Sequence, residues 1–177
     1  MISESYYWKQ SLLDCANNLE RYSKLKDIKL KDLVEIEKDI FVSFYSIRKL
    51  MDTPKISDST RELKINLNWS PNLKNVTMLN SHKMNELYDL GDIRVETKNL
   101  RFLCNQFVHS YIFEVVIEDG VGLSCCYFTS DRDKNKKIFF ITVEVLVHIL
   151  NLVGNDYPSK LKITRDSKTG ELLTGVL

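Results

Sequence analysis

The chain is short of the residues that build special sites. It has six glycines in 177 residues, and the closest pair is Gly120 and Gly122. Nucleotide-binding loops need several glycines at fixed spacing, so that backbone can approach a phosphate. Gly120-Val121-Gly122 has no third glycine and no helix-like segment after it, which excludes those fingerprints. The four cysteines, Cys15, Cys104, Cys125 and Cys126, form no CxxC pair. Adjacent residues on a strand point to opposite faces, so Cys125 and Cys126 suit neither a bridge nor shared metal ligation. The three histidines, His82, His109 and His148, fall in separate elements with no His-x3-His spacing. No structural metal and no cofactor are expected. Charge of one sign is also missing: 25 basic residues face 24 acidic ones. A protein built to replace counterions on nucleic acid shows a basic excess, and this one has none overall. There is no long apolar run either. Ile138 to Leu150 contains Glu144 and His148 and is too short to span a bilayer. The first residues, MISESYYWKQ, lack the basic start and apolar stretch of a signal peptide. The expected location is the cytoplasm, with no membrane partner.

What is present suits a globular fold, with 44% hydrophobic and 28% charged residues. Residues 4–24 read as a helix, with Trp8, Leu12, Cys15, Leu19 and Tyr22 on one stripe. Leu30 to Met51 reads as a second, and Pro54 ends it. The short loop between them predicts an antiparallel hairpin, with Trp8, Leu12, Leu19, Ile40, Phe44 and Ile47 in the core. Leu63, Ile65 and Leu67 alternate as in a short strand, and Pro71 to Asn80 looks irregular. Ser81 is placed to cap a short helix carrying Met84, Leu87 and Tyr88, with Gly91 past its end. Thr97 is placed to cap a helix over 98–110.

From there the period changes to two. Tyr111 to Glu118 and Leu123 to Ser130 read as a hairpin across Asp119-Gly120, and Lys137 to Ile141 as a third strand after a charged turn. Thr142 opens a helix to about Val153. Lys160 to Thr164 and Glu171 to Val176 read as a last hairpin, turning at Ser167 to Gly170. Helices early and strands late predict an α+β fold. Its parts are an N-terminal helical hairpin and a further helix, packed with a C-terminal, mainly antiparallel sheet and one more helix. No linker or repeat appears, so residues 1–177 are expected to form one domain.

Several small patterns carry nothing. Carboxylate–x–lysine, found in some metal-dependent nucleases, occurs at Glu96, Asp27, Glu62 and Asp166, and four matches in a lysine-rich chain are chance. Glu144 and His148, four apart, read as a solvated ion pair. Cys104 and His109 lie about 140° apart around a helix axis, so they cannot be a nucleophile and its base.

One segment stands out. Arg101, Asn105 and His109 are spaced by four, which sets a cation, an amide and an imidazole on one helical line. Such a line could hold a phosphate and supply a base. Its plain alternatives are the wet face of an amphipathic helix and a buried polar network joining helix to sheet. Cys104-Asn105-Gln106-Phe107-Val108-His109 resembles the motif of the helical HEPN family: arginine, a polar residue, any three residues, then histidine. Asn105 and His109 match the polar and histidine positions. Cys104 stands at the arginine position, and Arg101 lies one turn earlier. The resemblance covers about the first 110 residues. It implies an RNase or RNA-binding protein of a toxin or defence system, with arginine and histidine acting on the scissile phosphate, usually across a dimer.

A second resemblance is one of type. Lysine outnumbers arginine 18 to 7 and asparagine occurs 13 times, a composition similar to that of AT-rich, horizontally acquired bacterial genes. A small, neutral α+β chain without a complete catalytic set is similar to the immunity proteins that neutralise a cognate toxin. That implies a non-catalytic protein binder, and it is the reading preferred here because position 104 lacks the arginine. The partner surface and oligomeric state are left open.

Overall fold

The computed structural model describes residues 2–165 and 172–176. The chain begins with α1 (Ser5–Tyr22) and α2 (Leu30–Leu50), the expected helical hairpin. Glu4 caps α1 by accepting a hydrogen bond from the Tyr6 amide, and Asp32 accepts one from the Lys29 amide at the start of α2. Leu12, Leu19, Ile40, Phe44 and Ile47 are fully buried, as their spacing predicts. Trp8 is not; it lies at the rim of the core, and its neighbour Lys9 is fully buried instead. The buried stripe of α1 runs through Ser5, Lys9, Leu12, Ala16 and Leu19, which leaves Trp8 on the flank. Lys9 tolerates this position because its ammonium is satisfied. It donates to the carbonyls of Lys55 (2.7 Å) and Asp156, and lies 4.0 Å from the Tyr157 ring centroid. Burial nevertheless lowers its pKa.

After α3 (Asp58–Arg61) the chain enters β1 (Lys64–Pro71), longer than its three alternating apolar residues suggest. A loop follows with α4 (Met84–Leu87). Ser81 does not cap it: the Ser81 hydroxyl bonds the Met78 carbonyl, and Lys83 takes the cap position without a side-chain bond. Next come β2 (Arg94–Asn99) and α5 (Leu100–Val108). The sequence reading starts this helix at 98 and misses β2. The cap is Asn99, whose side chain accepts from the Phe102 amide at 2.8 Å, while Thr97 lies in β2. β2 escapes notice because it is an exposed edge strand of mostly charged and polar residues, with no apolar alternation to signal it.

β3 (Ser110–Glu118), β4 (Gly122–Ser130) and β5 (Lys137–Thr142) follow as expected, then α6 (Val143–Gly154). The five strands form one antiparallel sheet in the order β2-β1-β5-β4-β3. The sheet is therefore not confined to the C-terminal third: β1 crosses over to pair with β5. β6 (Leu161–Arg165) and β7 (Leu172–Val176) form a separate two-stranded sheet; the turn expected at 167–170 lies outside the described residues.

The core lies between one face of the sheet and α1, α2, α5 and α6. Stacked rings run through it: Phe44 to Phe107 at 4.3 Å, Phe107 to Phe128 at 4.5 Å and Phe128 to Phe139 at 5.8 Å between centroids. The loop around α4 covers part of the other face, burying Val76, Met84, Leu87 and Tyr88 against Ile112 and Ile138. Two glycines permit close approach. A Cβ at Gly154 would lie 2.6 Å from the Leu13 side chain, where α6 crosses α1. Gly122, at φ +134°, sits against the end of α1, where a Cβ would meet the Tyr22 carbonyl oxygen at 2.5 Å.

Candidate functional site

The candidate residues lie around α5, but they do not form one working line. Helix α5 ends at Val108, and the next residue, His109, is its C-cap, where the chain turns into β3. Arg101 points to the C-terminal end of α2. Its Nη2 donates to Asp52 Oδ1 at 3.1 Å, and Arg48 donates to Asp52 Oδ2 at 2.6 Å. The Nε of Arg48 also donates to Asn105 Oδ1 at 3.3 Å. Asp52 is thus held between two guanidinium groups. Partial desolvation raises its pKa, and the bonds from Arg101 and Arg48 outweigh that, holding it below the usual carboxylate range. An arginine does stand beside Asn105, but it comes from α2 and is engaged with a carboxylate.

Cys104, at the motif's arginine position, has no exposed surface. Burial pushes its thiol up to about 12, and the positive charges of Arg48 and Arg101 offset this only in part. It is neither a nucleophile nor a cation.

Gln106, one residue away from the polar line, is the buried polar group that joins helix to sheet. Its Oε1 accepts from the Ser130 amide at 2.9 Å, and its Nε2 donates to Asp133 at 2.7 Å. Desolvation raises the pKa of Asp133, and bonds from Gln106 and Lys136 outweigh it, so the carboxyl sits below its ordinary value. A helix-to-sheet network was one of the expected alternatives, but Gln106 carries it rather than Arg101, Asn105 or His109. A polar side chain on an apolar stripe was the available signal, since burial demands partners.

An open cleft of about 670 Å³ lies beside this network. Asn105, Gln106 and His109 line it together with Asp131, Arg132, Asp133 and Lys136 of the β4–β5 turn; Arg101 does not. His109 is exposed, and its imidazole has no hydrogen-bond partner among the described residues. Arg132 is exposed and forms no ion pair among the described residues, whereas Lys136 bonds Asp133 at 3.1 Å. The sequence identified the turn as charged, but not the side of α5 on which it lies. The cleft can accept an anionic or hydrogen-bonding group. Among the described residues no carboxylate is hydrogen-bonded to His109, as a fixed acid–base pair would need.

Of the remaining patterns, the carboxylate–x–lysine match at Asp166 lies outside the described residues. Glu96 pairs with Lys98 and Lys137 at the blunt edge of the sheet. Glu144 and His148 are both exposed on α6, and no ion pair joins them, contrary to the expectation from their spacing. Among the described residues no three His, Cys, Asp or Glu side chains converge as metal ligands, and no helix is long and apolar enough to cross a membrane. No family model matches the chain, and no curated protein or solved structure is significantly similar to it.

Proposed function

We propose that the protein works by binding another protein without catalysis, as an immunity- or antitoxin-type inhibitor of a cognate bacterial toxin. The supporting observation is how the catalytic candidates are disposed. Arg101 is tied to Asp52, Cys104 is completely buried, and His109 stands alone at a helix end. Phosphate chemistry needs a cation and a proton-transfer group facing one reacting centre. The surface also offers apolar anchors. Phe41, Val42 and Tyr45 of α2, with Val108 of α5, line a groove of about 280 Å³.

A second reading rests on the cleft. Asn105, His109, Arg132 and Lys136 all border it, so two cations of the β4–β5 turn stand where position 104 supplies none. This favours an RNA-binding or HEPN-like RNase function.

One experiment separates the two. Wild type, His109→Ala and Arg132→Ala are assayed for RNA cleavage and binding, and wild type is co-expressed with the product of the neighbouring gene. A stable complex that suppresses that product's toxicity, with no RNA cleavage, is the expected result. Cleavage abolished by both substitutions, with folding intact, overturns the inhibitor reading.

A further inference from the structure

The two edges of the five-stranded sheet differ. β2 is blunted by charge: Arg94 pairs with Asp92 at 2.6 Å, and Glu96 pairs with Lys98 and Lys137. β3, at the other edge, has β4 on one side and, among the described residues, no strand on the other. It is nine residues long and apolar at Ile112, Phe113, Val115, Val116 and Ile117. From Phe113 to Ile117 no main-chain hydrogen bond reaches anything but β4 among the described residues. A long apolar edge with a free row of amides and carbonyls is a template for one more strand.

We infer that β3 is the docking edge for an extended segment of the partner protein, one that alternates apolar and basic residues. The inference rests on the protein-binding reading above. The alternation follows from the two faces of β3. Phe113, Val115 and Ile117 pack toward the main core, and Phe113 lies 4.8 Å from Phe41, which lines the apolar groove. A strand added at this edge would place every second side chain beside that apolar surface. Glu114 and Glu118 are exposed on the opposite face, and neither forms an ion pair among the described residues. His82 and Lys83 border a small cleft with Glu114, but Lys83 pairs with Glu86 at 3.4 Å. The two free carboxylates call for basic residues opposite them.

The same charges argue against a second copy of the chain. Glu114 and Glu118 share one face, so antiparallel pairing of β3 with itself about a twofold axis gathers four carboxylates on that face. Centred on Val116, it would set Glu114 directly opposite Glu118 of the other copy. Like charges facing across strands are destabilising.

The test uses synthetic peptides. One alternates lysine with valine, a second alternates glutamate with valine, and a third has the lysines and valines in separate blocks. Binding to the full chain is followed by fluorescence anisotropy, and β3 by hydrogen exchange. The alternating lysine peptide should bind best and should slow exchange at residues 113–117. The Glu114→Lys/Glu118→Lys double variant, changed only on the surface, should bind it about fivefold more weakly and gain affinity for the glutamate peptide, as two opposite-charge cross-strand pairs imply. Equal binding of the block peptide, unchanged exchange in β3, or indifference to the double variant overturns the inference. So does a dimer in the ultracentrifuge whose β3 amides are protected without peptide. If the double variant still neutralises the neighbouring gene product as wild type does, docking at β3 is wrong while the inhibitor reading stands. If wild type binds no protein and cleaves RNA, the inhibitor reading itself falls.

Discussion

Replacing Gln106 with leucine tests the helix-to-sheet network directly. The substitution keeps the approximate volume and removes two hydrogen bonds. One is accepted from the buried Ser130 amide at 2.9 Å, the other donated to Asp133 at 2.7 Å. Leaving a buried N–H unpaired costs about 1–3 kcal/mol, and losing a bond to a carboxylate costs about 1.5–3 kcal/mol. The second figure falls at the low end, because Asp133 keeps Lys136 at 3.1 Å. The extra apolar surface of leucine returns about 1 kcal/mol. The expected net loss is about 2–3 kcal/mol, read as a lower urea midpoint with an unchanged slope. The pH dependence adds a second check. Asp133 has a depressed pKa in the folded state, so its contribution is present above the ordinary carboxylate pKa and is lost as pH falls through the lower folded value. Without Gln106 that depression shrinks. The gap between wild type and Gln106→Leu should therefore narrow from pH 7 to about pH 3. A loss under about 0.5 kcal/mol at pH 7, or a gap that does not change with pH, would refute the reasoning.

The other perturbations follow from the same geometry. His109→Ala should change stability by no more than about 0.5 kcal/mol, because the imidazole is exposed and unpartnered; a larger loss in a denaturant titration would place it in the network. Phe107→Ala removes the ring stacked between Phe44 and Phe128 and should cost about 3–5 kcal/mol by urea titration. Gly122→Ala should lower the melting temperature through a loss of about 2 kcal/mol or more, since its φ is +134° and the new Cβ would collide with the Tyr22 carbonyl. A thiol reagent should reach only the half-buried Cys125 in the native protein and all four free cysteines in urea, and reductant or chelator should leave the melting temperature unchanged.

Legibility in the sequence followed the strength of periodic signals. α1, α2, α6 and the β3–β4 hairpin each repeat apolar residues at helical or strand spacing over many positions, so element type was readable within a few residues. β2 was not, because an edge strand wet on its exposed side chains needs no apolar face. Lys9 was not, because the carbonyls that satisfy it come from Lys55 and Asp156, far away in sequence. The polar spacing of Arg101, Asn105 and His109 was visible, but what each side chain would meet was not. Arg101 found Asp52 on α2, and the helix ended one residue before His109.

By itself, then, the sequence determined the fold class, the helical hairpin and five of the six residues it placed in the core. Those properties depend on local spacing and composition, which a linear pattern carries. The tertiary structure alone decided that β1 crosses to pair with β5, that β2 and β3 become the two edges, and that Gln106 rather than His109 joins α5 to the sheet. It also decided which charges meet. Pairings such as Arg101 with Asp52, or Lys137 with Glu96, join residues from elements whose relative placement no local pattern encodes. Their chemistry depends on distance in space, and only packing of the whole chain sets that distance.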